Sequence, residues 1–104
     1  MKEPWVIALE ICTSKPRDRG RILANAFPFA DIEVFCDTGS FRTEAVVRDK
    51  RKVVPFTFGC RHEVILRKTY EASDFLTQNG VYRIAFDLAN ELNKYFGGEC
   101  GDER

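Results

Sequence analysis

His62 is the only histidine in the 104-residue sequence, and so the only side chain whose ordinary pKa lies near neutrality. An imidazole can serve as a general acid, a general base or a phosphoryl acceptor. It stands between Arg61 and Glu63, with no nucleophile or second ligand at a recognisable spacing. The sequence therefore favours a surface histidine over a catalytic one.

The cysteines are the next candidates for chemistry, and they lie far apart, at Cys12, Cys36, Cys60 and Cys100. No CxxC pair or Cys/His cluster indicates a zinc site. Four cysteines would permit two disulfides, but a chain with 44% apolar residues can build a core without them. We expect free thiols that mostly fill the core.

Carboxylates and glycines form no recognisable catalytic motif. Asp31 and Glu33 share one face of a predicted strand, where such charges usually keep an outer face in contact with water. The glycines at positions 39, 59, 80 and 97 belong to no glycine-rich loop and are each explicable as a turn or cap, whereas a phosphate-binding loop needs them clustered. We expect no enzyme activity, no metal and no cofactor.

The charges cancel, with sixteen Lys and Arg against sixteen Asp and Glu. This balance excludes the overall basic surface of a general nucleic-acid or anionic-membrane binder. The distribution is uneven, however. Residues 42–68 contain eight basic and three acidic residues, a net charge of +5, and residues 71–104 contain three basic and seven acidic, a net charge of −4. Recognition by charge must therefore be local.

Two basic segments are candidates for such recognition, and if the fold brings them together they form one positive patch for an anionic partner. The alternative is that their charges are merely solvated. Nucleic acid is a less favoured partner, because both runs lack the interleaved exposed aromatics that single-strand readers use. The segments contain Lys15, Arg17, Arg19 and Arg21, and Arg48, Lys50, Arg51 and Lys52.

The first half of the chain predicts a strand, a loop, a helix and a hairpin. Apolar residues alternate over residues 5–12, which indicates a strand. Residues 13–20 indicate a basic loop and residues 21–26 a short helix that Pro28 stops. Residues 31–37 and 41–48 predict a β-hairpin, with Gly39 in its turn.

The second half predicts a short strand and a long terminal helix. Pro55 and two valines make a distorted helix or turn the expectation for residues 53–58. Residues 63–67 predict the last strand, and residues 73–76 a helical turn. Asn79 is the expected cap of a terminal helix. The apolar stripe of that helix is Val81, Ile84, Ala85, Leu88, Leu92, Tyr95 and Phe96.

This order predicts a single α+β domain over residues 1–98, a two-layer sandwich of a sheet with helices on one face. Residues 99–104 are expected to be a frayed tail. The N-terminal residues lack the features of a secretory signal, and no stretch is apolar enough to cross a membrane, so we expect a cytoplasmic protein.

The order βαββαβα and several strings resemble the HPr family, the histidine-containing phosphocarriers of the sugar phosphotransferase system. Thr13-Ser14-Lys15-Pro16 corresponds to the family's His-x-Arg-Pro signature, with Thr13 in place of the histidine. Residues 26–29, 31–34 and 63–66 match its helix exit and strands. The resemblance implies a four-stranded antiparallel sheet with helices on one face.

Two positions carry implications of this resemblance. Without the histidine, Thr13 would form a stable ester, so phosphocarrier activity is not expected. Asp49 aligns with the family's regulatory serine and would imitate its phosphorylated form at a helix N-terminus. An ordinary capping aspartate is the alternative.

We therefore hypothesise a non-catalytic regulatory domain that docks on a protein partner through basic loops, with the apolar residues Val53, Val54 and Phe56 at the centre of the contact. A small nucleic-acid-associated protein using the same patch is the alternative. The candidate partner-binding residues are Thr13, Ser14, Lys15, Arg17, Asp49, Lys50, Arg51, Lys52, Val53 and Val54.

Overall fold

The computed structural model describes residues 3–37 and 39–97 and has an α+β fold. In chain order the elements are α1 (Pro4–Cys12), α2 (Pro16–Ala26), β1 (Ala30–Asp37), β2 (Arg42–Phe56), β3 (Gly59–Glu71), a 3-10 helix (Ala72–Leu76), α3 (Gln78–Leu92) and a π-helical turn (Asn93–Gly97). They belong to two compact units. The sheet unit is Pro28–Ala72, and the helical unit comprises the residues up to Phe27 and those from Ser73 onward.

The strand predicted for residues 5–12 is wrong, because this segment is helix α1. Its buried residues, Ile7, Ala8, Ile11 and Cys12, recur at helical spacing, whereas Trp5 and Leu9 are exposed. Nearly every position in the segment is apolar, so a period of two and a helical period fit the sequence equally well. The described residues therefore contain three strands, and the four-stranded arrangement of the resemblance is not confirmed.

In the helical unit, α1 contacts both α2 and α3. The predicted stripe of α3 is confirmed as a buried face, with Tyr95 half-buried just beyond the helix. The Gln78 side chain donates a hydrogen bond to the Cys12 carbonyl at 3.2 Å. The rings of Phe27 and Phe96 lie 6.4 Å apart. The predicted basic loop ends early, because α2 begins at Pro16 instead of residue 21.

The N-terminus of α3 is capped by Thr77 and not by Asn79. The Thr77 hydroxyl accepts a hydrogen bond from the Gly80 backbone N–H at 3.0 Å. The chain is tightly folded here, since a Cβ on Gly80 would lie 2.0 Å from the Asp74 carbonyl oxygen. Asp74 belongs to the 3-10 helix, which confirms the helical turn predicted near residues 73–76.

The sheet unit is an antiparallel meander in the order β1-β2-β3. The predicted hairpin is confirmed, with Asp37 opposite Arg42 at its turn. Two strands extend beyond their predicted limits, since β2 continues to Phe56 and β3 begins at Gly59. The distorted helix or turn predicted for residues 53–58 is therefore wrong.

Pro55 is tolerated in this strand because of where the sheet ends. Among the described residues, β1 pairs with β2 as far as Ala30 opposite Asp49, and beyond that point β2 pairs with β3 alone. Proline within a sheet is confined to such edges, where a missing N–H breaks no ladder on the open side.

Cysteine burial differs from the expectation in the sheet unit. Cys12, Cys36 and Cys60 are free thiols, but only Cys12 is buried. The core-filling role expected of most cysteines is wrong for Cys36 and Cys60, which are exposed. Cys100 and the tail expected at residues 99–104 lie outside the described residues.

The tight approach at Gly80 predicts opposite effects of two glycine substitutions in the helical unit. Gly80→Ala is expected to lower the free energy of unfolding by about 1–3 kcal/mol, because the new methyl meets the Asp74 backbone. Gly20→Ala, within α2 and with nothing within 4 Å of its Cβ position, should raise it by about 0.5–1 kcal/mol. Urea unfolding followed by circular dichroism measures both. An equal increase in the free energy of unfolding from the two substitutions would contradict the close approach of Gly80 to the Asp74 backbone.

The turn between β1 and β2 predicts an unusually acidic carboxyl group. The Ser40 hydroxyl and the Gly39 N–H donate to the Asp37 carboxylate, at 2.8 and 3.0 Å, and hold the pKa of Asp37 below its ordinary value. The turn should thus be stabilised at neutral pH and lose this support as the pH falls through the lowered pKa. A carbon-detected NMR titration should show the pKa rising in Ser40→Ala, and an unchanged pKa would contradict this assignment.

Candidate functional site

The strongest candidate site is the end of the β2–β3 hairpin, residues 50–62, which we call the arm. It consists of the last seven residues of β2, a tight turn and the first four residues of β3. Its thirteen residues include four Lys or Arg and no Asp or Glu. Almost all of them are exposed to solvent, with Val54 and His62 partly buried.

The arm begins with a bulge of basic residues. Asp49 lies opposite Glu63 and Val53 lies opposite His62, so β2 advances four residues where β3 advances one. The three extra residues are Lys50, Arg51 and Lys52. A bulge bends the bulged strand and increases its local twist, so it changes the direction in which the arm continues.

A buried carboxylate holds this bulge in place. The Asp49 side chain is 0% exposed, and its Oδ1 accepts hydrogen bonds from the backbone N–H of Arg51 at 2.9 Å and from its Nε at 3.0 Å. Arg51 Nη2 donates to Oδ2 at 3.1 Å. Such a two-pronged contact between arginine and a carboxylate has a defined geometry and is stronger than a single hydrogen bond between neutral groups.

Both expectations for Asp49 are therefore wrong. It lies in a strand, so it neither caps a helix nor imitates a phosphoserine at a helix N-terminus. Arg51 positions the bulge through its contacts with Asp49, and we do not expect it to bind a partner directly. Its guanidinium lies between the Asp49 carboxylate and the ring of Phe29, 4.9 Å from the ring centroid.

Aromatic rings accompany the basic residues of the arm, although the basic run at residues 48–52 contains none. The Arg61 guanidinium lies 4.5 Å from the centroid of the Phe56 ring, close enough for a cation–π interaction. Phe58, in the turn of the arm, is 99% exposed. Neither basic run contains an aromatic residue, but the folded hairpin adds Phe56, against Arg61, and the exposed Phe58 to the basic surface of the arm.

His62 lies at the base of the arm and is partly exposed. Its Nδ1 lies 3.5 Å from Asp31 Oδ2, at the outer limit of a hydrogen bond. Within residues 3–37 and 39–97, no cluster of three or more His, Cys, Asp or Glu side chains could hold a metal ion. Glu33, the other carboxylate singled out in the sequence, forms an ion pair with Arg48 across the sheet.

The remaining candidate residues belong to the helical unit. The hydroxyls of Thr13 and Ser14 donate to carbonyls of the last turn of α1, Leu9 O at 2.8 Å and Glu10 O at 2.6 Å. They therefore satisfy the end of a helix. Lys15 precedes α2 and Arg17 lies in its first turn, and both are exposed. The single patch predicted from both basic segments stays a prediction, since the segments belong to different units.

Sequence reasoning selected Phe56 as an apolar contact but did not select Phe58 and Arg61 of the arm, nor Phe29, whose ring lies against Arg51. A signal was available. Two β-branched residues before Pro55, followed by Thr57, Phe58 and Gly59, are compatible with a strand that ends in a turn. Pro55 instead favoured a distorted helix or turn. Nothing in the local sequence shows that β1 ends before this position, so that β2 pairs there with β3 alone.

Comparisons with known proteins give no relative from which a function could be taken. No family model matches the chain, and no curated protein or solved structure matches it. Among the residues that the structure describes, no helix is both long and apolar enough to cross a membrane.

The buried carboxylate predicts that two arginines of the sheet unit differ in importance. Arg51→Ala removes the cation bound to a fully buried Asp49 and is expected to lower the free energy of unfolding by about 2–4 kcal/mol. Arg67→Ala breaks a looser pair with Glu44, at 3.6 Å between partly exposed groups, and should cost at most about 1 kcal/mol. Chemical unfolding measures both. A loss from Arg51→Ala no larger than that from Arg67→Ala would show that Asp49 does not depend on it.

Proposed function

We propose that this chain is a non-catalytic binding domain that docks on an anionic partner through the arm. The observation that supports the proposal is the composition and exposure of the arm: four basic residues, no acidic residue, and apolar side chains that include Phe56 and Phe58. Charge attracts the partner from a distance, and exposed apolar groups supply the buried contact that holds it.

The arm refines the set of residues first expected to bind. Lys50, Lys52 and Val53 are exposed and suited to contact, and Val54 is half-buried between them and the turn. Asp49 and Arg51 instead position the bulge. Thr13 and Ser14 end a helix, so in that segment only Lys15 and Arg17 remain as candidate contacts.

Two classes of partner present the required negative charge, an acidic protein surface and a nucleic acid. The sequence alone favours the protein, because it shows no aromatic residues among the basic ones. The exposed rings on the arm favour the nucleic acid, because aromatic side chains next to arginines form stacking surfaces for bases.

The HPr resemblance and the regulatory role expected with it stay hypotheses, and so does the cytoplasmic location expected from the sequence. The docking proposal does not depend on it. The arm contains none of the residues of the signature-like segment 13–16, and its contacts stand on the geometry of β2 and β3.

The proposal is tested by two double substitutions that change the net charge by the same amount, one in each basic segment. Lys50→Glu with Lys52→Glu and Lys15→Glu with Arg17→Glu change the net charge equally. We expect the chain to bind heparin, used as a generic polyanion, at low salt despite its formal charge of zero. The first pair should abolish retention at roughly 50 mM salt, and the second should leave most of it.

Circular dichroism of both double variants confirms that they are folded. Equal losses in the two variants would show that total charge matters and its position does not. A wild-type chain that fails to bind heparin at low salt would overturn the proposal.

A further inference from the structure

We infer that the arm binds single-stranded nucleic acid, with unpaired bases stacked on Phe58 and Phe56 and the phosphates held by Lys50, Lys52 and Arg61. The inference rests on the proposed function and names the class of partner. It follows from three properties of the arm: its exposed rings, its charge and its size.

The exposed rings are the first property. Phe58 is 99% exposed in the turn, and Phe56 is more than half exposed with the Arg61 guanidinium against its ring. A phenylalanine side chain is stabilised when it is removed from water, and Phe58 gains almost none of this in the free chain. An unpaired base offers a flat surface that covers such a ring, and every base has one.

The charge is the second property. The arm has three consecutive basic residues, Lys50, Arg51 and Lys52, where the exposed part of β2 begins, a fourth, Arg61, on β3, and no carboxylate along its thirteen residues. Protein surfaces mix both signs of charge, so a docking element for a protein commonly carries both. An arm that carries one sign alone matches a partner with the opposite charge at every repeat, which is the property of a phosphate backbone.

The size is the third property. A standard protein–protein interface uses about 20–30 residues from each partner. The arm has thirteen, on a ribbon whose two strands lie about 5 Å apart. A nucleic acid needs less area, because released counterions and stacked bases supply much of the affinity.

We expect the arm to bind a single strand of nucleic acid and not a duplex. A two-stranded ribbon can enter the major groove of a duplex, but paired bases there present their edges. A phenylalanine in the turn finds an open base face only where the bases are unpaired. Phe58 therefore discriminates between the two forms, whereas the lysines do not.

The experiment measures binding of the whole chain to labelled twenty-nucleotide probes by fluorescence anisotropy at low salt. The probes are oligothymidine, oligouridine, a duplex and an abasic strand with the same number of phosphates, and labelled poly-glutamate serves as a probe for an acidic protein segment. Oligothymidine or oligouridine should bind at least about tenfold more tightly than the abasic strand, because stacking of a single base contributes about this much.

Three variants separate stacking from charge. Phe58→Ala should weaken single-strand binding about 5–150-fold and leave abasic binding unchanged, and Phe58→Trp should retain it. Phe41→Ala is the matched control, since Phe41 is also exposed, at 72%, in the other turn of the sheet. Lys50→Gln with Lys52→Gln should reduce the salt dependence of log K by about 1.4, the amount expected for two phosphate contacts.

Each other outcome overturns the inference. Equal binding of single strand and abasic strand, or tighter binding of the duplex with no effect of Phe58→Ala, means that phosphates alone are recognised. Binding of poly-glutamate without binding of any nucleic acid assigns the arm to an acidic protein partner and leaves the proposed function standing. Failure of every probe, together with failure to bind heparin, rejects both.

Discussion

The buried contact between Asp49 and Arg51 is the constraint on which the arm depends. A carboxylate that is completely removed from water must be paired, and Arg51 supplies two side-chain nitrogens, Nε and Nη2, and its backbone N–H. This pairing holds three consecutive basic residues in a bulge where the regular ladder of β2 and β3 is interrupted. The same interaction therefore stabilises the sheet unit and sets the direction of the exposed hairpin.

The interaction also divides the basic residues by role. Arg51 is occupied by Asp49 and by the ring of Phe29, whereas Lys50 and Lys52 on either side of it are exposed. A cluster that looks uniform in the sequence thus contains one positioning residue between two candidate contacts. Arg61 joins them from β3, where it lies against Phe56. The uneven charge distribution of the chain becomes a specific surface only when the hairpin is folded.

Elements with one dominant pattern were predicted well, and ambiguous elements were not. The stripe of α3 and the alternation of the β1–β2 hairpin each fit a single period, and the structure confirms both. Residues 4–12 are apolar almost throughout, so tertiary packing had to choose between strand and helix, and it chose the helix. Residues 53–58 contain Pro55, and the free-energy cost of a proline in a strand depends on whether strands pair on both sides of it. The local sequence does not show how many strands pair there.

By itself the sequence determined the α+β class, the confirmed hairpin, the terminal helix and the concentration of positive charge near residues 48–52. These features follow from the periodicity and composition of short segments. Both can be read without knowing which distant residues are in contact. Only the tertiary structure decided that Asp49 is buried, that residues 50–62 form an arm, that Phe56 lies against Arg61 and that Phe58 is exposed in the turn of the arm. These features depend on the lengths of the strands and on their pairing register, because these two properties decide which distant residues come into contact.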